Sequence, residues 1–256
     1  MSWPDAPFIP GGTTFELQVE PRLCGGIEER SLFGGWTLAA FADAAQAASG
    51  RHLRSLSAAF IERIPDGALL TVSTTAQRTG GQMSLLRVEA TTGDTLVATG
   101  QAWVGPRAGT AQATSAAPVV PPPDECEPRS YAGVLTRGLT ALMDVRVAGV
   151  ERGSADEPRT QLWARLTSGL SFECAVAMVS DHVPYLAMRV MPHVRTTPTL
   201  DASVRIVGEA AADWLLLDVR LDADDGGYAV GRVSIWDADG RPVAEAQQTM
   251  RLVLRA

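Results

Sequence analysis

The same order of segments occurs twice along this chain, once on either side of a stretch from Pro106 to Pro128 that is rich in Ala, Pro, Thr and Ser. That stretch holds the run Pro121, Pro122, Pro123 and shows neither helical nor strand periodicity, so it reads as a linker. Before it, Thr13 to Leu23 alternates apolar and polar residues as a strand does, and an apolar helix follows. Four further strands are expected at Leu53 to Ile64, Ala68 to Gln77, Met83 to Thr91 and Thr95 to Val104, divided by turn signals at Pro65-Asp66-Gly67, Gly80-Gly81 and Gly93-Asp94. After the linker, strands are expected at Asp144 to Val150 and Thr160 to Leu166, then a helix from Ser171 to about His182. Four more strands follow at Thr199 to Val207, Trp214 to Leu221, Tyr228 to Trp236 and Pro242 to Leu254. The closing hairpins share wording, Gly93-Asp94-Thr95-Leu96-Val97-Ala98 against Gly240-Arg241-Pro242-Val243-Ala244, which points to a duplication.

The two helices constrain what each half can be. From Phe33 to Ser49 nearly every position is apolar or small, and Asp43 and Gln46 form a narrow polar stripe. The second helix is similar, with Glu173 and Ser180 on one face. Helices this apolar are buried almost all round. A curved antiparallel sheet wrapped around one long helix buries both surfaces together, and two such units lay their sheets edge to edge. The expected modules are residues 1–105 and 129–256, joined by the linker 106–128.

A chain of 256 residues can bury a core without disulfides or a structural metal. Cys24, Cys126 and Cys174 are an odd set without a CxxC pair, which fits a reducing cytoplasm. The first ten residues carry no basic region followed by an apolar run, and no stretch approaches a membrane span, so neither export nor a membrane is expected. The net charge of −7 is spread along the chain, which argues against nucleic acid as a partner. No HxxxH or phosphate loop is present, and no cofactor is expected. His52, His182 and His193 pair with no nucleophile, and GxSxG is absent, so Ser-His-Asp hydrolysis is unsupported.

Several segments together are similar to a known family. They are Leu32-Phe33-Gly34-Gly35-Trp36-Thr37-Leu38-Ala39, the run from Leu53 to Arg63, Arg78-Thr79-Gly80, Ser180-Asp181, Leu200-Asp201, Trp214 to Leu217, Asp239 to Ala244, and Gln248. In order and spacing they resemble the acyl-CoA thioesterase II family. The resemblance implies an α+β double hot-dog fold, an acyl-CoA substrate and hydrolysis of its thioester. It also implies that an aspartate, a Thr or Ser, and a glutamine of the C-terminal module orient the attacking water.

On that resemblance Asp201 falls on the aspartate and Gln248 on the glutamine. The third position falls in the stretch from Arg220 to Asp225, which contains no Ser or Thr, and Asp222 is its nearest polar candidate. Gly34 and Gly35 are candidates for the place where a thioester carbonyl approaches, and they equally suit a tight turn into the helix. Asp181 opposes the dipole at its helix end, which suggests a specific hydrogen-bonding reason. The leading expectation is a fatty acyl-CoA hydrolase. The alternatives are an acyl-thioester binding protein that has lost catalysis, and a hot-dog enzyme acting on a carrier-bound intermediate. A single module has exposed sheet edges, and fusion supplies its pair; further association into a homodimer is compatible with that.

Overall fold

A computed structural model describes residues 14–25, 30–114, 116–129, 143–149, 158–166, 169–210 and 213–255. Eleven strands form one antiparallel sheet. The first half contributes β1 (Thr14–Gln18), β4 (His52–Phe60), β5 (Leu69–Arg78), β6 (Ser84–Thr92) and β7 (Thr95–Gly105). The second contributes β8 (Met143–Val147), β9 (Arg159–Leu166), β11 (Thr199–Ile206), β12 (Leu215–Asp224), β13 (Tyr228–Asp237) and β14 (Pro242–Arg251). The order across the sheet is β1-β5-β6-β7-β4-β11-β14-β13-β12-β9-β8, so the halves meet where β4 pairs with β11. Two small pairs complete the set: β2 (Cys24–Gly25) with β3 (Ser31–Leu32), and β10 (Val194–Thr196) with β15 (Val253–Leu254).

The strands alternate as the sequence patterning requires. Leu56 and Ala58 on β4, and Val204 and Ile206 on β11, are buried on one face, while Ser57 and Arg205 point the other way. Against the buried face lies α1 (Gly34–Ser49), whose Trp36, Leu38 and Phe41 are fully buried. The helix contains seven alanines, which lose no side-chain entropy on burial and allow close packing. It stops at Gly50, which takes the left-handed conformation at φ 64°. The expected long buried helix is present in the first half, and the sheets of the two halves join edge to edge where β4 pairs with β11.

In the second half the helix is interrupted. The helix expected from Ser171 to about His182 ends earlier, as α2 (Phe172–Val179), and a second helix, α3 (Val183–Val190), follows it. Pro184 accounts for the break. It has no N–H to give, and its ring would collide with the Ser180 carbonyl in a continuous helix, whereas in the first turn of α3 neither matters. Residues 181 and 182 thereby lie between the two helices, and Asp181 sits at the break.

The Pro-rich segment is held down along part of its length. Pro121 accepts a 2.9 Å hydrogen bond from Trp163 Nε1, Pro123 accepts one of 2.7 Å from Arg146, and Cys126 packs in a cluster with Trp163, Leu216 and Trp236.

Candidate functional site

The centre of interest is where α1 begins. The two helices run antiparallel at the junction, so the N-terminus of α1 meets the end of α2, and the N-terminus of α2 meets the later turns of α1. Asp43 stands ten residues after Phe33, which caps α1, and Asp181 stands ten residues after Ser171, which caps α2. Each aspartate therefore faces the start of the other module's helix. The two places have become very different.

At the start of α1 the chain has Gly34 and Gly35. A β-carbon on Gly34 would lie 2.5 Å from Asp181 Oδ2, and one on Gly35 would collide with the Met178 carbonyl and the Phe33 ring. Only glycine admits this approach. Asp181 is 5 % exposed and accepts hydrogen bonds from the Gly35 N–H, from Thr199 and from Gln248 Nε2. Gln248, 2 % exposed, has its amide fixed from both ends, because its Oε1 accepts a 3.0 Å bond from the Val183 N–H. That N–H is one of the unpaired donors at the start of α3. The interruption of the helix thus supplies both the carboxylate and the donor that orients its partner.

Burial pushes the Asp181 carboxyl up to about 6, against the lowering effect of the bonds from Gln248, Gly35 and Thr199. The group is ionised at neutral pH and close enough to its protonation point to accept a proton from water. Phe60, at the end of β4, flanks the contact between Gly34 and Asp181, with its ring 3.4 Å from the Gly34 β-position. His182 is adjacent in sequence, but its Nδ1 lies 2.8 Å from the Val179 carbonyl, and burial holds its pKa down near 3.

At the start of α2 a different set of polar side chains meets. The Cys174 thiol bonds to Asp43, Gln46 Nε2 donates to Ser171 Oγ at 3.2 Å and contacts Cys174 Sγ at 3.6 Å, and His52 lies 2.7 Å from Glu173. Burial raises the Asp43 carboxyl as well. Asp43, Gln46, Ser171, Cys174, His52 and Glu173 thus engage one another.

The residues singled out in the sequence fall in three places. Gln248, Gly34 and Gly35 are brought together at the start of α1. Asp201 is not with them. It is exposed on the outward face of β11, paired with Ala59 and Thr249, while the adjacent Ala202 faces inward opposite Gln248. Asp222 is also elsewhere, on β12 at a register shift, exposed and 3.5 Å from Arg232. The residues that do join Gln248 are Asp181 and Thr199. The reason is a bulge. The pairing of β11 with β14 shifts between Thr199 and Asp201, so Leu200 is an extra residue, Thr199 turns inward and Asp201 outward. Asp181, Thr199 and Gln248 thus gather around one point, an aspartate, a threonine and a glutamine, the residue types that the family resemblance implies.

Comparison with known proteins agrees with the architecture. Residues 26–105 match the model of the acyl-CoA thioesterase N-terminal domain, and residues 120–252 that of the acyl-CoA thioesterase C-terminal domain. A candidate thioesterase from Novosphingobium aromaticivorans is 29 % identical, with a TM-score of 0.87 over 98 % of this chain and 100 % of its own. A candidate thioesterase II from Thermobifida fusca is 18 % identical, with a TM-score of 0.80 over 93 % of each chain. An acyl-CoA thioesterase II from Mycobacterium marinum is 22 % identical, with a TM-score of 0.72 over 95 % of this chain and 94 % of its own. No curated protein sequence matches. With both halves matched in order and the double hot-dog sheet complete around its two helix starts, the chain belongs to the acyl-CoA thioesterase family.

Proposed function

We propose that the protein hydrolyses acyl-CoA thioesters by water activated at Asp181, and that Asp181 and Thr199 take the parts first expected of Asp201 and Asp222. The observation that carries this reading is the convergence of Asp181, Thr199 and Gln248 on the start of α1. A base near pKa 6 is well matched to neutral pH, where it is ionised but still basic enough to take a proton in the transition state.

In this mechanism the thioester carbonyl carbon lies beside Asp181 at the start of α1, where Gly34 and Gly35 carry no side chains of their own. Asp181, with Thr199 and Gln248 around it, holds a water molecule and takes its proton as the oxygen bonds to the carbonyl carbon. The carbonyl oxygen becomes an oxyanion facing the first turn of α1, where the Gly34 N–H and the positive end of the helix dipole stabilise it. Collapse of the tetrahedral intermediate breaks the carbon–sulfur bond, and the proton on Asp181 passes to the departing thiolate. The products are a free acid and CoA. Phe60 and Phe33 supply an apolar border that keeps bulk water from the reacting carbon.

The test is thiol release over a panel of acyl-CoAs with wild type, Asp181→Asn, Thr199→Ala and Gln248→Ala. Turnover by wild type and a loss of about a hundredfold or more in Asp181→Asn are expected. Undiminished turnover in Asp181→Asn would remove the assignment. Binding of acyl-CoA by wild type without any thiol release would favour the non-catalytic alternative.

A further inference from the structure

Gly231 lies within β13 on the inward face, between the buried Ala229 and Val233, where a core side chain would ordinarily stand. Its φ lies outside the left-handed region, so no turn requires glycine here. A glycine inside a strand gives up packing and marks a close approach by another part of the chain. The approaching element is α3. A β-carbon on Gly231 would collide with Val183 Cγ1 and with the Arg220 carbonyl oxygen. Val183 is the first residue of α3, and Gly231 pairs in register with Gln248 on β14. The missing side chain therefore lets α3 begin directly beside Gln248, whose Oε1 accepts the 3.0 Å bond from the Val183 N–H.

The same turn is held from a second side. The Thr197 hydroxyl, between β10 and β11, donates a 3.1 Å bond to the Pro184 carbonyl. Thr197 stands two residues before Thr199, which bonds to Asp181. Both side-chain partners of Asp181 are thus tied to the first turn of α3, Gln248 through the Val183 N–H and Thr199 through the chain that Thr197 anchors. The Asp181 carboxyl is shifted by burial and by its bonds to Gln248, Gly35 and Thr199. The neighbouring His182 is neutral in the same range, since burial, and then Arg129, hold its pKa down to about 3. The Gln248 amide is therefore the contact through which the seating of α3 reaches the carboxyl.

We infer that Gly231 and Thr197 are positioning residues for the proposed reaction, seating the first turn of α3 so that it aims the Gln248 amide at Asp181. This rests on the reading of Asp181 as the water-activating base, and it adds two residues that act through Gln248 and the α3 turn.

The experiment follows the Asp181 carboxyl by carbon-13 NMR titration, assigned against Asp181→Asn, beside thiol-release kinetics on acyl-CoA. In Gly231→Ala the added methyl displaces Val183 and slackens its hold on Gln248. The Asp181 midpoint is expected to rise above its wild-type position, as in Gln248→Ala, and kcat to fall about tenfold or more. The double variant Gly231→Ala/Gln248→Ala is expected to match Gln248→Ala in both readouts, because Gly231 acts through that amide. An unmoved midpoint in Gly231→Ala, or effects that add in the double variant, would overturn the inference. Should thermal unfolding show that Gly231→Ala does not fold, Thr197→Val and Thr197→Ser decide, since the first loses the hydroxyl and the second keeps it. A raised midpoint in Thr197→Val with a wild-type midpoint in Thr197→Ser supports the positioning role, and no shift in Thr197→Val, or an equal shift in both, sinks it. If wild type releases no thiol, the hydrolase reading fails on that measurement, while the carboxyl titration still judges Gly231 and Thr197.

Discussion

Gly34 and Asp181 touch across the junction of the two modules, with Asp181 Oδ2 2.5 Å from the point where a β-carbon of Gly34 would stand. The contact makes one position of α1 intolerant of any side chain, although helix propensity alone would favour alanine there. In Gly34→Ala the carboxylate or the helix start must move by a good fraction of an ångström. Displacement on that scale costs about a hundredfold in kcat when a reacting group is involved, and overpacking costs about 1–3 kcal/mol of stability. Steady-state kinetics and urea unfolding of Gly34→Ala check both, and an active, fully stable Gly34→Ala protein would contradict the contact.

Gln248 is expected to govern the pH profile as well as the rate. Its amide bond to Asp181 lowers the carboxyl pKa, opposing burial. Removing it in Gln248→Ala leaves burial less opposed, so the carboxyl pKa moves further above 6. Since the ionised form is the active base, the acid limb of kcat/KM shifts to higher pH in Gln248→Ala and the plateau falls. The same change strands the Val183 N–H, which costs roughly 1–3 kcal/mol. A pH–rate profile whose midpoint stays in place would show that Gln248 does not act on Asp181.

How much of this was legible in the sequence depended on the range of the interaction. Strand alternation and turn residues are local, and β4, β5, β6 and β7 fall within a few residues of their expected bounds. Gln248 was reachable because β14 keeps strict alternation from Ala244 through Ala246. Thr199 was hidden by the Leu200 bulge. In an unbroken strand Thr199 and Asp201 would share a face, and nothing in the local residues announces the extra one. Asp181 carried a signal in its matching offset with Asp43 from the two helix starts, and in its unfavourable place near a helix end. That Gly34 of the other module lies against it is a tertiary fact, which no periodicity encodes.

The outward-facing aspartates make a sharp contrast with Asp181. Asp222→Asn loses only an exposed ion pair to Arg232, worth little in water, and is expected to keep kcat within about twofold of wild type. Asp201→Asn is expected to keep kcat too, because its side chain lies on the opposite face of the sheet from Asp181. A collapse of kcat in Asp201→Asn would return the water-activating role to that residue.

The buried carboxyl should also be visible in stability without any substrate. In the folded chain Asp181 holds its proton up to about pH 6, whereas the unfolded chain releases it near the ordinary carboxyl value of 3.8. Between those values the folded state binds more protons, so this group's contribution to stability declines as pH rises from about 4 to 6 and is constant above. A difference of about two pKa units corresponds to at most about 3 kcal/mol. Asp43, raised in the same direction by burial, adds a slope of the same sign, so wild type alone cannot isolate the effect. The informative quantity is the difference between wild type and Asp181→Asn in urea unfolding free energy across pH 4 to 7. It should grow in favour of Asp181→Asn as pH rises, because the variant has no charge to bury. Parallel pH dependences for the two proteins would mean that Asp181 ionises as freely in the folded chain as in water, and the site would then lack the enclosed carboxylate on which water activation depends.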